Sequence, residues 1–318
     1  MNPESVCEAA FARGGPYWHL YTDGEMMDII FTQPQDFMFG MTLLGLCCAA
    51  FPRCRVLTFT LMSNHIHVVL AGSEKDIRGF FAYFKERLRR YLSGEKRFCR
   101  MERFEAELFE IPDLRALRNE IIYVNRNGYV VSPDCTPFSY WWSAGVFFFN
   151  PMGKMLPVCP FSSLTKRDQR SLCRSRDLTL PDAYLVWRGF RPGREAPAGM
   201  LLYPPSFCVI DEAEGFFRNA QQYFRRLSRD HEAHSEVANR LSEKIFLTDD
   251  ELYGAICAIS TKDYGISTPN LLPAKDKDNL ARRMHFDYNA SNKQIQRMLK
   301  LSPSKVAELF PEAESVHK

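Results

Sequence analysis

The chain has 318 residues, 46% of them hydrophobic and 25% charged, with a net charge of +3. This is an ordinary globular balance in a chain long enough for two or three domains and a substantial core, and the global charge names no partner. No apolar run reaches the roughly 18 residues of a membrane-crossing helix, and the longest, residues 40–51, is too short. The N-terminus has no basic start followed by an apolar core, so no secretory signal is expected. The ten cysteines form no C-x-x-C pair. They read as reduced core thiols of a soluble cytoplasmic protein with no membrane partner.

In chain order, residues 16–32 read as a strand, a break at Asp23-Gly24 and a second extended piece. Residues 34–51 read as a helix with Phe37, Met41, Leu44 and Cys48 at helical spacing. Residues 54–62 and 65–72 read as two strands of a hairpin turning at Ser63-Asn64. Residues 74–92 predict an amphipathic helix ending near Gly94. Residues 75–103 hold ten basic and four acidic side chains, a local charge of +6, interleaved with six aromatics. That mixture suits either a solvated basic face or a nucleic-acid backbone with stacked bases. Glu105, Glu107 and Glu110 read as surface residues of a charged segment. A helix should follow, from an Asp113 N-cap to a Gly128 C-cap, with Leu117, Ile121 and Val124 on its apolar side. Residues 132–151 read as a loop and then extended chain.

Beyond Pro151, residues 165–176 predict a basic helix, 188–206 an irregular Gly/Pro-rich loop, and 211–259 mostly helix. A further boundary is expected near residues 268–278. In the tail, Ser291 can cap a helix through Leu299, Leu301-Ser302 make a turn, and Ser304–Phe310 start another helix. Ile295, Leu299, Val306 and Leu309 would point inward, a helix-turn-helix pattern that also suits a plain helical hairpin. Three parts are thus expected: a domain over residues 1–151, a mostly helical accessory region over 152–275, and a DNA-binding-like tail over 276–318.

The chemistry-bearing residues lie in two segments. His65 and His67 are i and i+2 on a predicted strand, so both imidazoles share one side and Ile66 faces the other. Paired neutral imidazoles are natural metal ligands, although the spacing is weak evidence by itself. Tyr123 and Asn127 are i and i+4, one turn apart on a helix. A tyrosine can attack phosphorus, and an amide oxygen one turn away can join two imidazoles around a metal that polarises a phosphodiester. No G-x-x-x-x-G-K-[ST] phosphate loop is present, so no nucleotide cofactor is expected.

The run Met62-Ser63-Asn64-His65-Ile66-His67, followed by Tyr123-Val124-Asn125-Arg126-Asn127-Gly128, resembles the single-tyrosine HUH-endonuclease transposases. In particular it resembles the REP-associated tyrosine transposases of the insertion-sequence type. The resemblance covers roughly residues 15–150. Ser63 and Gly128 stand where the family has proline, and neither change removes a chemical group. The resemblance implies an α+β catalytic domain, an antiparallel sheet with helices on one face and ferredoxin-like in outline, before a mostly helical C-terminal region. It implies Tyr123 as the nucleophile, His65 and His67 as metal ligands, Asn127 as the third ligand, and Mg²⁺ or Mn²⁺ as the metal. The implied activity is nicking and rejoining of single-stranded or hairpin DNA through a 5′-phosphotyrosine, as in DNA transposition and recombination. The site could be completed within one chain or across a homodimer. The alternative is a non-catalytic, sequence-specific DNA-binding protein derived from a transposase. DNA contacts are expected from Lys85, Arg87, Arg89 and Arg90, with Tyr91 or Phe84 for stacking, and from Lys293, Gln294, Arg297 and Lys305 in the tail. Convergence of the two histidines, Tyr123 and Asn127 on one point is the structural test of this reading, and a Tyr123 pointing into the core would count against it.

Overall fold

The computed structural model describes residues 2–24, 29–97, 101–129, 136–176, 178–192, 198–229, 234, 237–238, 240–241, 247 and 249–311. The chain divides into two compact units, Met1–Leu227 and Ser228–Lys318. This division coincides with neither expected boundary and falls inside the expected accessory region. No helix among the described residues is long and apolar enough to cross a membrane.

In the first unit, helix α1 (Pro3–Gly14) precedes strand β1 (Tyr17–Thr22), helix α2 (Pro34–Ala50), strands β2 (Arg55–Leu61) and β3 (Ile66–Ala71), helix α3 (Glu74–Gly94) and strand β4 (Ala106–Ile111). The four strands form one antiparallel sheet in the order β2-β3-β1-β4. This is the expected α+β, ferredoxin-like arrangement, with α2 and α3 as its crossover helices. The central strands β1 and β3 are buried on almost every side chain, which explains their nearly continuous apolar runs. The edge strand β4 is a strand that the sequence reading took for charged surface. Its outward Glu107 and Glu110 interrupt the apolar pattern, as charges on an edge strand do.

Helix α2 is apolar nearly all round because it is covered on two sides. A methyl group on Gly40 would strike Phe31 and Leu61, and one on Gly45 would strike Leu202 from a second sheet. Helix α3 has one apolar stripe, from Ile77 and Phe80 to Leu88 and Leu92, and lies beside α2 with Tyr91 stacked on Phe39 at 4.2 Å. Buried Asp36 ties the two helices together. It accepts from Thr32 N at 2.8 Å, Tyr91 Oη at 2.8 Å and Arg97 Nη1 at 2.7 Å. Burial by itself would raise the Asp36 pKa, but these hydrogen bonds outweigh burial and hold it below the ordinary carboxylate value. The folded state therefore binds this proton less tightly than the unfolded chain. Its contribution is complete above roughly pH 4 and is lost as pH falls through the depressed pKa. Acid unfolding followed by circular dichroism should be shallower below that pH in Asp36→Asn than in the wild type.

Helix α4 (Leu114–Tyr129) lies on the opposite face of the sheet, where Thr60 Oγ1 of β2 donates to Val124 O at 2.7 Å. Its N-terminus is as expected: Asp113 Oδ1 accepts from Ala116 N at 2.7 Å. Its other end differs. Gly128 is inside the helix, not a C-cap, and is small because the Tyr140 ring packs on it. A Cβ there would lie 2.7 Å from Tyr140 Cδ1. Gly128→Ala should therefore cost about 1–3 kcal/mol in urea unfolding. Gly94→Ala, with nothing within 4 Å of its Cβ, should be neutral or mildly stabilising.

The expected helical region beginning at 152 instead opens with a three-stranded antiparallel sheet. It consists of β5 (Val158–Pro160), β6 (Leu185–Phe190) and β7 (Gly199–Leu202), with helix α5 (Lys166–Cys173) between β5 and β6. Strand β6 was hard to read because a bulge between Arg188 and Phe190, with Gly189 at φ +76°, breaks its alternation. Residues 144–147, expected to be extended, form a short 3₁₀ turn. Helices α6 (Ile210–Glu214) and α7 (Ala220–Arg229) follow.

The second unit contains helices α8 (Asp249–Tyr264), α9 (Ala274–Asp287), α10 (Asn292–Leu299) and α11 (Pro303–Leu309). The tail helices begin where expected. Ser291 and Gln294 form a reciprocal capping box, Lys300 closes α10 in the left-handed region, and Ser302 caps α11. Ile295, Leu299 and Val306 are buried as expected, whereas Leu309 is half-buried and Phe310 takes the inward place.

Candidate active site

The site forms between the central strands and α4. Antiparallel register sets Tyr21 opposite His67 and His19 opposite Val69, so His19, Tyr21 and His67 share one face of the sheet. Helix α4 covers that face and is buried on nearly all sides despite its polar sequence. It manages this because its polar side chains find partners. Arg118 donates to Glu4 Oε1 and to Phe216 O, each at 2.5 Å, and Asn119 accepts from Arg226 at 3.2 Å. Asn125 accepts from Thr58 and donates to Tyr223 Oη at 2.9 Å.

Three side chains with zero exposure, Glu120, His19 and His67, form a hydrogen-bonded chain. His19 Nδ1 lies 2.7 Å from Glu120 Oε2, and His19 Nε2 lies 3.1 Å from His67 Nδ1. With His19 neutral, the network fixes the tautomers. A carboxylate only accepts, so His19 Nδ1 carries the hydrogen towards Glu120. A neutral His19 then accepts at Nε2 from His67 Nδ1–H, and the lone pair of His67 falls on Nε2. Burial pushes the His67 pKa well below its ordinary value, and any protonation of His19 would push it further down, so the His67 ring stays neutral.

His65 is half-buried at the hairpin turn just before β3, with its ring 5.0 Å from that of His67. Its Nδ1 meets Asn64 Oδ1 at 2.8 Å, and Asn64 Nδ2 in turn donates to Gly24 O at 2.6 Å. The absence of a side chain at Gly24 is needed here, since a Cβ would lie 2.6 Å from His65 Nδ1. The Tyr123 ring stands edge-on to His67 at 5.7 Å and to His19 at 6.3 Å. Tyr21 lies parallel to His67 at 6.1 Å and donates its hydroxyl to Glu107 at 3.0 Å.

Of the four expected residues, His65, His67 and Tyr123 are therefore brought together. The histidines do not face outward as a pair: His67 is sealed, and Tyr123 is 4% exposed but rests on the imidazoles. Asn127 is half-buried in the last turn of α4, and its side chain makes no hydrogen bond to another described residue. Sequence reasoning missed Glu120 and assigned no role to His19. The available signals were a histidine inside the apolar run Tyr17–Thr22 and a glutamate three residues before Tyr123 on the same helix face.

The expected DNA contacts are largely engaged within the protein. Lys85 pairs with Glu105 at 2.5 Å, and Arg89 and Arg90 share Glu86 at 2.8 and 2.7 Å. Those two arginines hold the Glu86 carboxyl down at about 2. Arg87 lies 5.1 Å above the Tyr83 ring. Phe84 and Tyr91 are buried and present no ring for stacking a base, because the apolar stripe of α3 turns them inward. In the tail, Gln294 bonds Leu247 O at 3.1 Å, Arg297 pairs with Asp249 at 2.6 Å, and Lys305 pairs with Asp278 at 3.2 Å. Lys293 remains exposed.

Among the described residues no group of three or more His, Cys, Asp or Glu is placed to hold a metal ion. His65 and His67 are both engaged through Nδ1, which leaves Nε2 of each as the atom that could ligate a metal. Compared with known protein families, curated proteins and solved structures, the chain matches none.

Proposed function

We propose that this protein is a metal-dependent transposase-like enzyme that nicks and rejoins single-stranded or hairpin DNA, with Tyr123 as its nucleophile. The observation that carries this reading is the packing of the Tyr123 ring 5.7 Å from that of His67, with His65 a further 5.0 Å along. These residues are far apart in sequence and chemically matched to phosphoryl transfer. His65, His67 and Asn127 would hold Mg²⁺ or Mn²⁺, which when bound supplies Lewis-acid polarisation of the scissile phosphate. The Tyr123 oxygen forms a bond to phosphorus and the P–O3′ bond breaks. The proton leaving the phenol is balanced by the one taken up by the departing 3′-oxygen. A 5′-phosphotyrosine and a 3′-hydroxyl result, and reversal on another strand rejoins DNA without a nucleotide cofactor. Glu120 and His19 orient His67 and fix its tautomer.

The second reading is a DNA-binding protein that no longer cuts. It is favoured by the burial of His67 and Tyr123, at 0% and 4% exposure, which requires the face of α4 to open before DNA can enter. Incubation with hairpin-containing single-stranded DNA and Mn²⁺, followed by denaturing electrophoresis, separates the two. A covalent adduct is the expected result; tight binding without any adduct sinks the enzyme reading.

A further inference from the structure

A second candidate site lies away from the histidines, in a solvent-open cleft of about 430 Å³ between α2, α5 and strands β6 and β7. That volume is within the range of roughly 300–1,000 Å³ for small-ligand pockets. Its apolar lining comes from Met38 and Phe39 of α2 and Met200 of β7, and its polar groups include Gln35. Two arginines, Arg174 and Arg188, also line it.

Both arginines are aimed by irregular backbone. Arg174 follows α5 in the left-handed region at φ 49° and ψ 31°, unfavourable for a side chain other than glycine. Its guanidinium lies 5.8 Å over the Tyr91 ring, which itself stacks on Phe39, so the cation is held at the cleft. Arg188 sits at the β6 bulge beside Gly189, and bulges re-aim side chains next to sites. It is exposed, and no carboxylate among the described residues pairs with it. Glu95 lies 3.8 Å from Arg174, and Asp168 of α5 is an acid in the cleft lining, so the two arginines outnumber the carboxylates there. Two arginines lining one cleft beside apolar methionines match a phosphate joined to a flat heterocycle.

We propose that this cleft binds a nucleotide unit, with its phosphate on Arg174 and Arg188 and its base against the Met38 and Met200 side chains. The proposal deepens the DNA-processing reading by giving the strand a second foothold, but its test needs neither metal nor cleavage. A labelled single-stranded oligodeoxynucleotide is titrated in EDTA and followed by fluorescence anisotropy, with deoxynucleoside monophosphates as competitors. Arg188→Glu and Arg174→Glu should each weaken binding about tenfold and lower the salt slope by about 1. Their thermal unfolding should be unchanged, because both side chains are exposed. Arg53→Glu, the same charge change at a surface side chain 82% exposed, should weaken binding less than about twofold. Competition by monophosphates identifies a free nucleotide as a ligand in its own right; its absence assigns the cleft to a DNA strand. Wild-type affinity in both cleft variants, an equal loss in Arg53→Glu, or no binding of either probe overturns the proposal. Loss of the Tyr123 adduct with this binding intact would overturn only the nicking reading.

Discussion

Tyr123→Phe should abolish the covalent protein–DNA adduct while leaving DNA affinity within about twofold of wild type. Removing a nucleophile costs on the order of 10⁴–10⁶ in rate, far more than the loss of any single positioning contact. The substitution keeps the ring, so the edge-on contacts with His67 and His19 survive and the fold should be unaffected. Adduct formation is read by denaturing electrophoresis and affinity by anisotropy. An adduct of wild-type yield in the Phe variant would move the nucleophile to another residue. Loss of adduct together with a lowered melting temperature would instead make Tyr123 a structural residue.

Glu120→Ala should produce the second large effect, on stability and on the site together. Glu120, His19 and His67 are wholly buried, and removing one partner strands the polar groups that it held. Leaving a buried polar group without its partner costs about 1–3 kcal/mol. For a unit of this size that lowers the melting temperature by roughly 5 °C. Glu120→Gln should cost less, because its amide oxygen still accepts from His19. The paired change Glu120→Leu with His19→Leu separates folding from positioning. With both polar partners gone, much of the stability should return, since apolar replacements of buried pairs are often neutral. Mn²⁺ affinity, read by calorimetry, should still fall about 10–100-fold, because His67 has lost the partner that orients it. Full Mn²⁺ affinity in the double variant would show that the relay serves the fold alone.

The parts of the fold legible in the sequence were those where one face is buried and the other wet. Helix α3 announced itself through Ile77, Phe80, Phe84 and Leu88 at helical spacing, and the tail helices through Ser291 and Ser302 caps. Strand β4 was illegible because an edge strand puts charges where alternation should show, and β6 because a bulge shifts its register. The aromatics of the basic helix misled in the opposite direction. Phe84 and Tyr91 looked available to bases only while the identity of their neighbour was unknown. That neighbour is α2, which takes Tyr91 through Phe39 and Asp36.

At the candidate site, the sequence by itself determined residue types and local spacing. His65 and His67 are adjacent in any strand, and Tyr123 and Asn127 are one turn apart in any helix, because these periods belong to the backbone. Only the tertiary structure decided which of them meet. Pairing of β1 with β3 brought His19 to His67, and the seating of α4 on that face brought Glu120 and Tyr123 to both. The physical reason is that strand partners and helix seating are chosen by long-range burial. No spacing within one segment can show that a histidine, a glutamate and another histidine will share a single dry hydrogen-bonded chain.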